Sequence, residues 1–188
     1  MPPNSPNGKY VAKPGSKKKF DCTEIKQKYP VESYDDQKNK KGGVYKGKQA
    51  HHVIQNALFQ KPRGTTLTDI CPSYTEGGAP CIPLSDGTNV RTEHGRVSKM
   101  QKKASKAMRD KKENPTYEDA RKDAKDQLMA KPKPGMSDEE AECILKEVDK
   151  YYEKIGAKKP GKQLRAPGQR SKWKPTVPKS ASGGRVRV

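Results

Sequence analysis

Apolar residues recur at helical spacing only in the second half of this chain, and that change of rhythm at about Glu93 does most to limit the folds open to it. From there Val97, Met100, Ala104, Ala107 and Met108 repeat every three or four residues, leaving Lys99, Lys102, Lys103, Lys106 and Arg109 for the wet side. Asn114-Pro115 stops this helix, and Asn114 or Thr116 caps a second one that runs through Tyr117, Ala120, Ala124 and Leu128 to about Ala130. After the break at Lys131-Pro132-Lys133-Pro134-Gly135, Ser137-Asp138-Glu139-Glu140 forms a capping box. The third helix then carries Ala141, Ile144, Leu145, Val148, Tyr151, Tyr152 and Ile155 and ends at Gly156.

Ahead of Glu93 the apolar runs are short. Residues 44–49 read as a strand leading to Ala50-His51-His52, residues 53–59 as an apolar turn or short helix, and residues 61–80 as a long loop. Cys81-Ile82-Pro83-Leu84 is the second strand, which Pro83 restricts to a sheet edge, and Asp86-Gly87 is the turn after it. Scattered anchors at Phe20, Ile25, Tyr29, Val31 and Tyr34 predict one short helix within residues 20–36. The expected fold is α+β with little sheet: a flexible leader (1–19), a core (20–112), a helical extension (113–156) and a basic Pro/Gly-rich tail (157–188), both termini being disordered. With 29% hydrophobic against 34% charged residues, a large core is out of reach.

Lys and Arg number 41 against 22 Asp and Glu, a net charge of +19, so the chain's field attracts polyanions. Phosphate backbones are the obvious partner; the competing reading is that the lysines only solvate the surface. No long apolar run, signal-peptide core or lipidation motif predicts membrane insertion. The four cysteines, Cys22, Cys71, Cys81 and Cys143, form no Cys-x-x-Cys pair, which argues against a zinc finger. Free thiols are favoured, with a Cys71–Cys81 bridge as the alternative.

All three histidines, His51, His52 and His94, fall in one window of this lysine-rich chain. Of two adjacent imidazoles, one can ligate a metal while the other takes a proton from water, the pairing that metal-dependent hydrolysis needs at neutral pH. The order is strand, His-His, long loop, short strand, then a helix with a histidine in its first turn. With Ala50-His51-His52 and His94-Gly95, it resembles the AHH type of the HNH/endonuclease VII superfamily, the ββα-metal nucleases found as domains of bacterial polymorphic toxins. The likeness covers residues 44–112.

The resemblance implies a small ββα-metal core and a metal-dependent endonuclease that hydrolyses DNA phosphodiester bonds as an antibacterial effector, with RNA as the alternative substrate. It implies one divalent ion (Mg, Mn, Ni or Zn) held by His51 and His94, with His52 as the general base and Asn89 as a further catalytic residue that fixes the loop or completes the metal shell. Many relatives place another histidine one turn beyond the helical one, where this chain has Val97 and Ser98, so that Glu93 or water fills the position. Gln55 reads as a supporting residue, and Asn56 is the nearest polar side chain after the pair. Arg91, Arg96, Lys99, Lys102, Lys103 and Lys106 would grip the nucleic acid. A toxin domain further implies a larger delivery protein, entry into the target-cell cytoplasm without a signal peptide of its own, and an acidic cognate immunity protein. The tail reads either as an electrostatic arm on nucleic acid, with Trp173 stacking on a base, or as a solvated terminus; two rival readings of the whole chain are a basic RNA- or DNA-coating protein in which the histidines pack or bind nothing, and a structural zinc site that adds Cys71 or Cys81 to the histidines.

Overall fold

A computed structural model describes residues 20–60 and 70–167; the expected leader, part of the 61–80 loop and the tail with Trp173 lie outside them. In chain order the elements are α1 (Thr23–Lys28), β1 (Glu32–Ser33), α2 (Tyr34–Gln37), β2 (Lys48–His52), β3 (Pro80–Ser85), α3 (Glu93–Lys111), α4 (Tyr117–Leu128) and α5 (Asp138–Lys154). Single 3-10 turns sit at Gly43–Tyr45 and Asn56–Leu58. The fold is therefore α+β, with a small antiparallel sheet and helices around it.

The three long helices start where the sequence predicts, α4 and α5 on the expected caps and α3 on Thr92, a cap outside that expectation. Thr92 accepts a hydrogen bond from Gly95 N, while Thr116 with Asp119 and Ser137 with Glu140 make reciprocal capping boxes. Gly156, at φ +73°, takes the left-handed turn that ends α5. The amino-terminal half departs further from expectation. The single helix expected over residues 20–36 is broken by Pro30, whose ring disfavours helix at Tyr29, and the chain leaves α1 to form β1 and then α2. The strand expected at residues 44–49 begins only at Lys48, because Gly43 (φ +55°) and Gly47 (φ +65°) turn the chain before it. The histidine pair consequently lies inside the strand rather than after it.

The sheet order is β1-β3-β2, all antiparallel, with His51 opposite Ile82 and His52 opposite Cys81. This places β3, with Pro83, in the middle rather than at an edge. Because β1 pairs only with Pro80 and Cys81, β3 has a free side from Ile82 onward, and Pro83 interrupts no ladder there.

The scarcity of aliphatic residues is offset by buried tyrosines. Phe59 stacks on Tyr74 (4.5 Å between ring centres) and on Tyr152 (5.2 Å), and Tyr152 in turn meets Tyr117 at 5.2 Å. Three buried phenols find hydrogen-bond acceptors: Tyr29 on Glu93, Tyr74 on Asn56 and Tyr117 on Asp149. This core runs without a break from α1 and the sheet to α4 and α5. It also takes in Ala157 and Leu164, so packing continues past Gly156. Residues 163–167 lie across the body, with Leu164 N donating to Pro115 O and Arg165 N to Leu58 O.

The cysteines resolve differently from either expectation. Cys22 and Cys143 form a disulfide that ties the start of α1 to α5, their Cα atoms 5.6 Å apart, while Cys71 and Cys81 are buried free thiols. Cysteines 121 residues apart in sequence give no local sign of pairing. Among the described residues no helix is long and apolar enough to cross a membrane.

Candidate active site

Successive side chains of a strand point to opposite faces, so β2 presents His51 toward α3 and His52 toward α2. Because this is the last strand of the sheet, both rings still reach one cleft of about 390 Å³ at its edge, which they line with Tyr34, Glu76, His94 and Gln101. The His51 and His94 rings meet edge to face, 5.2 Å between centres. The His52 ring lies flat against Tyr34 at 4.8 Å and 21°.

The partners of each ring fix its tautomer. An amide nitrogen only donates, so Gln101 Nε2 donates to His51 Nε2 at 3.1 Å and marks that nitrogen as a lone pair. A carbonyl only accepts, so His94 Nδ1–H donates to Gly87 O (3.4 Å), leaving Nε2 as the lone pair, and His52 Nε2–H donates to Glu76 O (3.2 Å), leaving Nδ1. Burial, with His94 and His52 close by, pushes the His51 pKa down to about 3. Burial also lowers that of His52, against the opposing pull of the Glu76 carbonyl. Both rings are therefore neutral at neutral pH.

This donor set suits a hydrated cation better than a closed structural site. Among the described residues no three His, Cys, Asp or Glu side chains gather as a metal-binding group; His51 and His94 are the two imidazoles that face each other, each with a lone-pair Nε2. His94 donates its other nitrogen to a backbone carbonyl, as metal-bound histidines commonly do. Two imidazoles leave the remaining positions to water and phosphate, whereas structural zinc requires four protein ligands. The cysteines do not supply them. Cys71 donates to Ile155 O and Cys81 to Ala79 O, and burial pushes both thiols up, away from the thiolate a metal needs. The structural-zinc reading fails on that point.

Glu93 is also engaged elsewhere. Its carboxylate accepts from Tyr29 OH (2.6 Å) and Ser85 N (2.8 Å), and its own N–H donates to Ser85 Oγ (2.9 Å), so it ties the start of α3 to the end of β3 and to Tyr29. Burial pushes its carboxyl up, but the bonds from Tyr29 and Ser85 outweigh this and hold it below its ordinary value. It does not fill a metal position. Asn89 does not line the cleft: its side chain accepts from Arg91 N, and its carbonyl accepts from Thr92. That carbonyl lies over Gly95, where any Cβ would collide with it.

The helical wheel sorts the proposed nucleic-acid contacts. His94, Ser98, Gln101 and Ser105 form one stripe of α3 at i, i+4, i+7 and i+11. Lys102 adjoins this stripe and Lys99 and Lys106 lie further round, Lys106 paired with Asp110, whereas Lys103 and Arg96 fall on the opposite side. Arg91 is exposed in the loop before the helix. The same wheel corrects the buried face expected of α3. Of Val97, Met100, Ala104, Ala107 and Met108 only Val97 is buried, and Glu93, Gly95 and Ser105 are buried in addition. Ser105 Oγ donates to Gln55 Oε1, so the helix meets β2 and its following turn through polar groups. Gln55 and Asn56 both line the cleft, Gln55 accepting from Ser105 and Asn56 from Tyr74.

Sequence reasoning missed Gln101, Tyr34 and the Glu76 carbonyl. Gln101 was legible as a polar residue seven after His94; nothing in the local sequence couples Tyr34 or Glu76 to His52.

Two antiparallel strands and a helix that bring a histidine pair and a helical histidine to one cleft define an HNH-type core. Residues 45–153 match the profile of an HNH/Endo VII superfamily toxin with a SHH signature, and the chain belongs to that toxin family. Here Ala50, not Ser, precedes His51-His52. No curated protein and no solved structure matches the chain. Tyr29 and Tyr34 both precede the matched span.

Proposed function

We propose that the protein is a metal-dependent endonuclease that hydrolyses DNA phosphodiester bonds as an antibacterial toxin domain. The observation that carries this reading is the division of labour within the histidine pair: His51 shares its side of β2 with His94, whereas His52 stands apart, neutral, stacked and bonded through one nitrogen. A divalent ion (Mg, Mn, Ni or Zn) held by His51 and His94 with water would polarise the scissile phosphate and stabilise the departing oxygen. His52 Nδ1 takes the proton of the attacking water, and the resulting imidazolium keeps its Nε2–H on the Glu76 carbonyl. Tyr34 holds the ring in plane for that transfer. Gln101 occupies the His51 lone pair in the free protein and is the group that must give way when His51 binds a cation.

The cationic face near Lys102, Lys99 and Arg91 supplies non-specific grip on the backbone, which predicts affinity that falls steeply with salt. The same charge suits an acidic immunity protein as inhibitor, and a toxin domain calls for a larger protein to deliver it into the target cytoplasm. The test is plasmid nicking by the full chain with magnesium, manganese, nickel and zinc supplied in turn. His52→Ala should cost about 10²- to 10⁴-fold in cleavage rate while DNA binding persists, because only proton transfer is lost. His51→Ala and His94→Ala should weaken metal binding, measured directly by calorimetry. Folded His52→Ala protein that nicks at the wild-type rate, or a wild type inert with every metal, would overturn the proposal; inert wild type that still binds DNA would favour the coating-protein alternative.

A further inference from the structure

The cleft does not end at His52. Tyr34 and Ala50 also line a second hollow of about 350 Å³ on the α2 side of β2, whose other walls include Lys38, Lys40, Lys41 and Tyr45. It lies on the opposite side of the histidines from the lysines of α3, and Tyr34, Gln37, Lys38, Lys40 and Lys41 of its lining precede the matched family span. We propose that this hollow is a subsite for the nucleic-acid backbone, holding the stretch of substrate strand next to the scissile phosphate; the inference rests on the nuclease reading above.

The hollow is continuous with the cleft. A strand lying over His51, His52 and His94 must leave the cleft, and the hollow is directly next to it, since Tyr34 and Ala50 wall both spaces.

In its walls lysines alternate with aromatic rings, the arrangement that holds a single strand by its phosphates and its bases together. Lys38 Nζ stands 5.6 Å from the Tyr34 ring centre and Lys40 Nζ 5.0 Å from that of Tyr45.

Lys41 is exposed, with no ion-pair partner among the described residues. Lys38 rests on Asp35 (2.6 Å), an exposed pair of the weak kind from which the ammonium can turn to a phosphate, while Lys40 is held more firmly, on both oxygens of the part-buried Glu32 (2.7 and 2.8 Å). Asp86 is the acidic side chain lining the hollow, and it is outnumbered. A polyanion that runs from the cleft into the lysine-tyrosine hollow accounts for all three observations.

The test uses the full chain carrying His52→Ala, to prevent cutting, and a short fluorescein-labelled DNA duplex and its single strand as probes. Anisotropy titrations across a salt series compare this protein with two triple variants of equal charge loss. One is Lys38→Gln/Lys40→Gln/Lys41→Gln in the hollow; the other, remote in that none of its residues lines the hollow or the cleft, is Lys131→Gln/Lys133→Gln/Lys146→Gln on the exposed surface of the helical half. The hollow triple should weaken binding by about tenfold or more and lower the slope of log affinity against log salt by about 2 to 3, near 0.9 per lost phosphate contact on duplex; the remote triple should change the slope by less than about 1. Tyr45→Ala should weaken single-strand binding with the slope unaltered, a signature of lost stacking rather than lost charge. Equal effects of the two triples would show that net charge alone is at work and overturn the subsite. So would an unchanged hollow triple, which leaves the nuclease reading intact if the wild type still nicks plasmid. A wild type that neither binds DNA nor nicks it would remove both.

Discussion

The two halves of the molecule are held together by different means. Around the cleft, α3 meets the sheet through Glu93, Gln101 and Ser105, each bonded to a named partner, and Val97 is its one buried aliphatic residue. On the other side, α4 and α5 pack by Ala120, Ala124, Leu128, Ile144, Leu145, Val148 and Tyr152, start on two capping boxes, and are cross-braced by Arg121 between Glu142 (2.8 Å) and Asp149 (3.1 Å). The helical half is ordinary hydrophobic architecture. The cleft half spends its interior on polar groups that also pose the site, and it leans on the helical half for stability.

That dependence can be broken most severely at Phe59, whose ring touches both sides. Phe59→Ala should cost about 3 to 5 kcal/mol, with near-UV dichroism and cleavage lost at the same urea concentration. Separate transitions for the two signals would show that the halves are independent after all. Removing the Cys22–Cys143 bridge by serine substitution releases α1 from α5 and should lower stability by about 2 to 4 kcal/mol, seen equally when the wild type is melted under reductant.

A smaller effect should single out the cleft half. Glu93→Gln removes a charged acceptor from Tyr29 and Ser85 and should cost about 1.5 to 3 kcal/mol, with a disproportionate loss of cleavage because the residue that follows is His94. The smallest belongs to the helical half. The guanidinium of Arg121, with Lys125, holds the Glu142 carboxyl down to about 2, below its ordinary 4.5. A carboxylate whose pKa is depressed on folding contributes stability above the unfolded value and loses it as pH falls toward the folded one. Thermal melts should therefore show a decline between about pH 4.5 and 2 that Glu142→Gln flattens, by no more than about 1 kcal/mol for so accessible a pair.

What the sequence revealed, it revealed through short-range chemistry. Thr116 to Asp119 and Ser137 to Glu140 are three residues apart, so both helix starts could be read directly, and the three histidines were conspicuous against the lysines. What stayed hidden required contacts between distant residues. Tyr34 reaches His52 only because β1 ends after two residues and lets α2 turn over β2, and Cys22 reaches Cys143 only because α1 packs on α5. The stripe at His94, Ser98, Gln101 and Ser105 fell between these cases. Its spacing was plain, but the apolar rhythm of the same helix drew attention to Met100 and Ala107, which face outward or lie only half covered.

At Gly95 the absence of a side chain shapes the candidate site. Because it has no side chain, the 87–92 turn settles directly onto the first turn of α3, with the Asn89 carbonyl where a methyl group would otherwise be. That closeness brings the Gly87 carbonyl within reach of His94 Nδ1. The neighbouring imidazole is thus aimed by an empty volume: one missing carbon works as the keyhole into which the loop locks, and the bearing of His94 follows from the side chain that Gly95 lacks.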